Sequence, residues 1–79
     1  MLPNGLKLFV ADVVDEETNE QEYFYVVGKT YDSSLKRFIK WADSIWWRYA
    51  YYFNEVTDKS EIESFKDEYA NVKAGIYMN

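Results

Sequence analysis

The first third of the chain has two apolar runs separated by a polar gap. Leu6 to Val14 (LKLFVADVV) and Tyr23 to Thr30 (YFYVVGKT) are rich in β-branched and aromatic residues, while Asp15 to Gln21 is polar throughout. Two such runs with a short polar connection predict a β-hairpin. Asn19 is the residue best suited to a left-handed backbone there. It places a type I turn around Glu17-Thr18 and sets Glu16 opposite Glu20. In that register Val10 pairs with Val26 and Leu8 with Gly28. One face then holds Leu6, Leu8, Val10, Phe24 and Val26, with Asp12 and Glu22 towards the turn. The other holds Phe9, Ala11, Val13, Tyr23, Tyr25 and Val27. The first is expected on the core, because tyrosine tolerates partial exposure. The second is left apolar and in want of a cover.

Beyond Gly28 the period changes from two to that of a helix. Leu35, Phe38, Ile39, Ala42, Trp46, Tyr49, Ala50 and Phe53 fall on one side of a helical projection, with Ile45 at its edge. Lys36, Arg37, Lys40, Ser44, Trp47, Arg48 and Tyr51 fall on the other. With Asp32 or Ser33 as N-cap, the stripe predicts one long aromatic-rich helix to about Asn54. Trp47 to Val56 (WRYAYYFNEV) also has strand propensity. The helical reading is taken because the stripe runs through it unbroken.

A shorter second helix opens at Asp58 or Ser60, the latter in capping-box spacing with Glu63. Ile62, Phe65, Tyr69 and Val72 then recur one turn apart. Two endings fit: Gly75 closing the helix in a left-handed conformation, or a stop near Asn71 followed by a strand from Val72 to Met78. Phe38, Trp46, Tyr49, Phe53, Phe65 and Tyr69 are assigned to the core. The expected fold is one α+β domain over residues 1–79, an antiparallel hairpin with room for a third, C-terminal strand, packed against a long helix and a short one.

Composition narrows the chemistry. The chain of 79 residues has no Cys and no His. It therefore has no disulfide scaffold, no thiol nucleophile and no Cys/His zinc site, and it lacks the commonest general base. Gly5, Gly28 and Gly75 stand alone, so there is no glycine-rich phosphate loop. Asp15-Glu16-Glu17 lacks the alternating ligand spacing of a calcium loop. Asp12 and Glu22 share a face in the register above, the nearest approach to a carboxylate pair for acid–base work. Solvated strand ends explain them more simply. No apolar run reaches the roughly 18 to 20 residues that span a bilayer, and Met1 to Gly5 does not resemble a signal peptide. The expectation is a cytoplasmic, non-catalytic protein without metal, cofactor or membrane partner.

Charge changes the picture further. The net charge is −5, from 9 bases and 14 acids. Asp12, Asp15, Glu16, Glu17, Glu20 and Glu22 lie on or beside the hairpin turn with no base among them. Like charges so close repel one another, and their consequence is an external field. Such a hairpin is expected to dock in the basic groove of a protein that normally holds DNA or RNA. Trp47, Arg48 and Tyr51 form the candidate anchor, having the make-up of a binding hot spot. In size and charge alone the chain resembles the small acidic inhibitors of phages and mobile elements that block restriction or CRISPR machinery. That likeness implies a nucleic-acid mimic acting in a host cytoplasm. The alternative is a self-associating module, a homodimer covering the Phe9, Val13, Tyr23, Tyr25 and Val27 face. Direct binding of single strands by Trp47 and Tyr51 is disfavoured by the negative total.

Overall fold

The computed structural model describes residues 2–69 and 71–78. The elements in chain order are β1 (Lys7–Asp15), β2 (Gln21–Gly28), α1 (Tyr31–Asp43), β3 (Tyr49–Glu55), α2 (Lys59–Glu68) and β4 (Gly75–Met78). The strands form one antiparallel sheet in the order β3-β1-β2-β4. The fold is α+β, with the hairpin at its centre and the later strands added at either side.

The hairpin forms where the apolar runs predict it, but one residue out of the expected register. Val10 lies opposite Tyr25 and Phe9 opposite Val26. The cause is in the turn. Asp15, not Glu16, closes the ladder, its N–H donating to Glu20 O at 2.9 Å. The Asp15 carboxylate accepts from Glu17 N–H at 2.9 Å, and Asn19 N–H donates to Asp15 O at 2.7 Å. Asp15 thus nucleates a longer turn, while Asn19 takes the expected left-handed conformation at φ 62°. A one-residue slip moves one strand's side chains to the opposite face relative to the other. The faces therefore recombine. Phe9, Ala11, Val13, Phe24 and Val26 line one, and Leu8, Val10, Asp12, Tyr23, Tyr25 and Val27 the other.

Each face carries one helix, α1 over the first and α2 over part of the second. Phe9, Ala11, Val13, Phe24 and Val26 pack with Phe38, Ala42 and Phe53 beneath α1. Leu8 and Val27 pack with Leu2, Val56 and Phe65 beneath α2. The expected bare face of Phe9, Val13, Tyr23, Tyr25 and Val27 therefore does not exist: Phe9, Val13 and Val27 are buried within the chain.

The long helix is corrected as well. α1 begins two to three residues earlier than expected, with Thr30 as N-cap accepting from Ser33 N–H at 3.1 Å. It stops at Asp43, where Ser44 Oγ donates back to Trp41 O at 2.6 Å. The stripe is correct through Ala42, since Phe38 and Ala42 are buried and Leu35 and Ile39 are partly so. Beyond it, Tyr49 to Glu55 is a strand. An aromatic-rich run of this length satisfies both periods. The free edge of β1 decides between them by offering the backbone a ladder.

Asp58 is the cap of α2, its carboxylate accepting from Ser60 N–H at 2.8 Å and Glu61 N–H at 3.3 Å. These bonds hold its pKa below 3.8, with the Ser60 side chain, which also donates to it, contributing most. α2 ends at Glu68, and the closing-strand ending is the one observed. Gly75 opens β4 and does not take a left-handed conformation.

Candidate functional site

The two helices do not cover equal areas. α2 has 10 residues, about 15 Å of helix, set against a β1 of 9 residues, about 30 Å of strand. It covers the Leu8–Val27 end of its face through Ile62, Phe65 and Tyr69. Towards the hairpin turn the face is open. There Asp12 on the central strand β1 has Tyr23 beside it on β2 and Tyr52 beside it on β3. Tyr23 is 48% exposed and Tyr52 74%. Gln21 Nε2 donates to Asp12 Oδ1 at 2.7 Å and to the Tyr23 hydroxyl at 3.0 Å, which fixes the carboxylate between the two rings.

The acidic turn continues this row. Asp15 and Glu22 lie on the α1 side, Asp12 on the α2 side, and Glu16, Glu17 and Glu20 in the exposed turn itself. Asp12 and Glu22 therefore do not share a face, and the carboxylate pair suggested by the sequence is not formed. Among the described residues the single ion pair is Lys66 with Glu63 at 3.5 Å, so none of the six hairpin carboxylates is neutralised by one. The charge surrounds the end of the hairpin and does not line one side of it.

Trp47 and Arg48 come to the same place by a route that a helix could not supply. The α1–β3 loop carries them beside the turn, where Glu16 N–H donates to Arg48 O at 3.0 Å. Trp47 is 83% exposed, the most exposed large apolar side chain among the described residues. Tyr51 is separated from them. It lies on β3 on the α1 side, its ring 5.6 Å from Phe38 and 6.1 Å from Tyr49. The expected helical pair of Trp47 and Tyr51 is thus replaced by Trp47 at the turn and Tyr52 on the open face. Tyr52 was missed because the helical projection put it on neither the apolar nor the opposite side of the expected helix. Strand alternation over residues 49–55 would have set it on the face opposite Tyr51, but only the pairing of β3 with β1 puts it beside Asp12.

A second surface lies away from the turn. An open groove of about 580 Å³ between α1 and β4 is lined by Arg37, Lys40, Trp41, Ser44 and Ile76. The helical spacing of the first four signals it, but Ile76 could not be placed beside them without the sheet. Two tyrosines carry shifted titrations. Tyr49 is pushed up to about 12 by burial first and then by its 2.6 Å bond to Asp43. Tyr25 is raised by burial and by its 3.0 Å bond to Glu61. Both hydroxyls are donors tied to structure. No group of three or more acidic side chains gathers as a metal site among the described residues. Neither among protein families, nor among curated proteins, nor among solved structures does this chain find a match.

Proposed function

We propose that this protein is a non-catalytic binding module whose acidic hairpin end enters the basic groove of a nucleic-acid-handling protein and blocks it. One observation carries the reading: the Tyr23–Asp12–Tyr52 row on the open half of the sheet, continuous with unpaired carboxylates at the turn. A carboxylate set between two exposed rings suits arginine, whose guanidinium stacks on an aromatic face while pairing with the acid. Arginine is abundant where proteins hold phosphates. Nucleic acid itself would meet like charge here. Because acids stand on both sides of the hairpin, the end goes into a groove tip first, and Trp47 is placed to anchor its rim.

The experiment is paired capture from host lysate, at low and at moderate salt, with the native protein and with a Glu16→Lys/Glu17→Lys/Glu20→Lys variant. A basic partner is expected on the native protein alone. Its association with the variant is slowed by at least about tenfold and loses most of its salt dependence, because steering acts on the on-rate. Tyr52→Ala should instead hasten dissociation. Partners that bind native and triple-variant protein equally would overturn the proposal.

A further inference from the structure

β4 is the outer strand beside β2, and its free edge borders the open groove between itself and α1. Asp15 N–H bonds to Glu20 O, so the even-numbered residues of β2 pair with β1 and the odd ones with β4. Tyr25 and Val27 therefore exchange the ladder bonds with Tyr77 and Gly75. Ile76, opposite Val26, turns both its N–H and its C=O away from the sheet. No described residue bonds to either group. The Ile76 side chain lies on the α1 side and forms one wall of the groove. Facing it on α1 are Arg37, Lys40 and Trp41. Both cations are exposed and without an ion pair among the described residues, and no acid lines the groove. The acids of α1 are elsewhere: Asp32 is in its first turn, and Asp43 accepts from the Tyr49 hydroxyl at 2.6 Å. Trp41 is held 4.9 Å from Phe24 and 5.6 Å from Trp46, so this seat is fixed before anything binds.

We infer that an extended acidic peptide adds to β4 as a fifth strand, seated between β4 and α1. An open groove leaves one side of its occupant in water, which suits a chain segment better than a small molecule that needs enclosure. A free strand edge with a helix beside it provides main-chain bonds and side-chain seats together, the arrangement of strand-addition modules. The two unpaired cations choose the sign of the charge. In an antiparallel pair, the peptide residue opposite Ile76 exchanges both backbone bonds with it and sends its side chain to the α1 face. Residues two positions to either side point the same way. An apolar residue opposite Ile76 meets Trp41, and acids two positions away meet Arg37 and Lys40. The net charge of −5 does not prevent this, because its field is screened over about 10 Å at 0.1 M salt and the contact is local. No residue of the acidic hairpin end takes part, so this inference and the proposed function can fail separately.

Fluorescence anisotropy with a labelled Thr-Asp-Thr-Leu-Thr-Asp-Thr peptide tests the inference. The native chain is expected to bind it, and the Ile76 amide to become protected from hydrogen exchange. Replacing both peptide aspartates with asparagine, or N-methylating the leucine to remove its donor, should each weaken binding by at least about tenfold. The Arg37→Glu/Lys40→Glu variant should lose as much and recover it with a peptide carrying lysine in place of aspartate. Both side chains are exposed, so the variant is expected to fold, with circular dichroism as the check. An asparagine or N-methyl peptide that binds as well as the parent overturns the inference, as does a native chain that leaves the parent peptide unbound at millimolar concentration. A native chain that self-associates and is made monomeric by the double substitution also overturns it, since the groove would then hold a second copy.

Discussion

The sheet has an aromatic cluster on each side, and the two are built differently. On the α1 side Phe9, Phe38 and Phe53 stack in sequence, with Phe9–Phe53 centroids 5.3 Å apart and Phe38–Phe53 5.8 Å. Trp41 and Trp46 extend the cluster over Phe24. On the α2 side Phe65 is the one fully buried ring, surrounded by Tyr25, Tyr69 and Tyr77. The tyrosine hydroxyls there reach polar partners, Glu61 for Tyr25 and the Lys73 backbone for Tyr77. A helix of 13 residues covers one side and a helix of 10 the other. The α1 side holds the larger buried cluster, while the cluster on the α2 side stops short and leaves the Tyr23–Asp12–Tyr52 row open.

Breaking each cluster at its centre should show the difference most strongly. Phe38→Ala removes a ring that is fully buried among other rings and should cost about 3–5 kcal/mol, lowering the denaturant midpoint for the whole domain. Phe65→Ala should cost less and act locally, because the short α2 can open without dissolving the sheet. Hydrogen exchange would distinguish them, with α2 amides alone losing protection in the second variant. Equal costs and equal loss of protection would remove the distinction between the faces.

The next effect concerns how closely α1 lies on the sheet. A Cβ placed on Gly28 would overlap Ser34 Oγ and stand 3.2 Å from Ser34 Cβ. Gly28→Ala should therefore cost about 1–3 kcal/mol by overpacking. Ser34 is buried, and its hydroxyl has no hydrogen-bond partner. Ser34→Ala should stabilise the native chain by about 1 kcal/mol, since it removes an unsatisfied polar group. It should also relieve part of the cost of Gly28→Ala, so thermal melts of the double variant will depart from additivity.

The smallest effect is a titration. Tyr49 on the α1 side ionises at about 12 in the folded chain and at 10.0 when free. A raised folded pKa means that the unfolded chain loses the proton first. The contribution is complete below pH 10 and is lost as pH rises towards 12. Tyr25 has the same sign on the α2 side. Tyr49→Phe should flatten part of the alkaline fall in stability, and tyrosinate absorbance followed against pH would assign the late-titrating hydroxyl. A Tyr49→Phe protein with an unchanged alkaline profile would mean that the raised titration of Tyr49, set by burial first and by Asp43 second, does not contribute to stability.

Much of the fold was legible in the residues. The apolar runs marked β1 and β2, Asn19 marked its own left-handed position, and Leu35, Phe38, Ile39 and Ala42 marked the buried stripe of α1. Asp58 announced α2. What escaped was the register, because Asp15 and Glu16 are both plausible closing residues and their difference is one side-chain bond to Glu17 N–H. The strand character of Tyr49 to Phe53 escaped too, because aromatics at those positions fit a helix wheel as well as a strand. Of the candidate site, the acidic turn was readable from charge alone. The arrival of Trp47 and Arg48 beside it, and of Tyr52 beside Asp12, was not.

Sequence alone thus determined the class of the protein, the local starts and turns, and the density of negative charge around one hairpin. These depend on interactions between residues a few positions apart. Tertiary structure decided which face each strand presents, whether residues 49–55 coil or extend, and what stands next to Asp12. Those choices rest on β1, whose backbone offers a ladder on both edges. A ladder rewards whichever distant segment comes to fill it, and no local pattern records which one that will be.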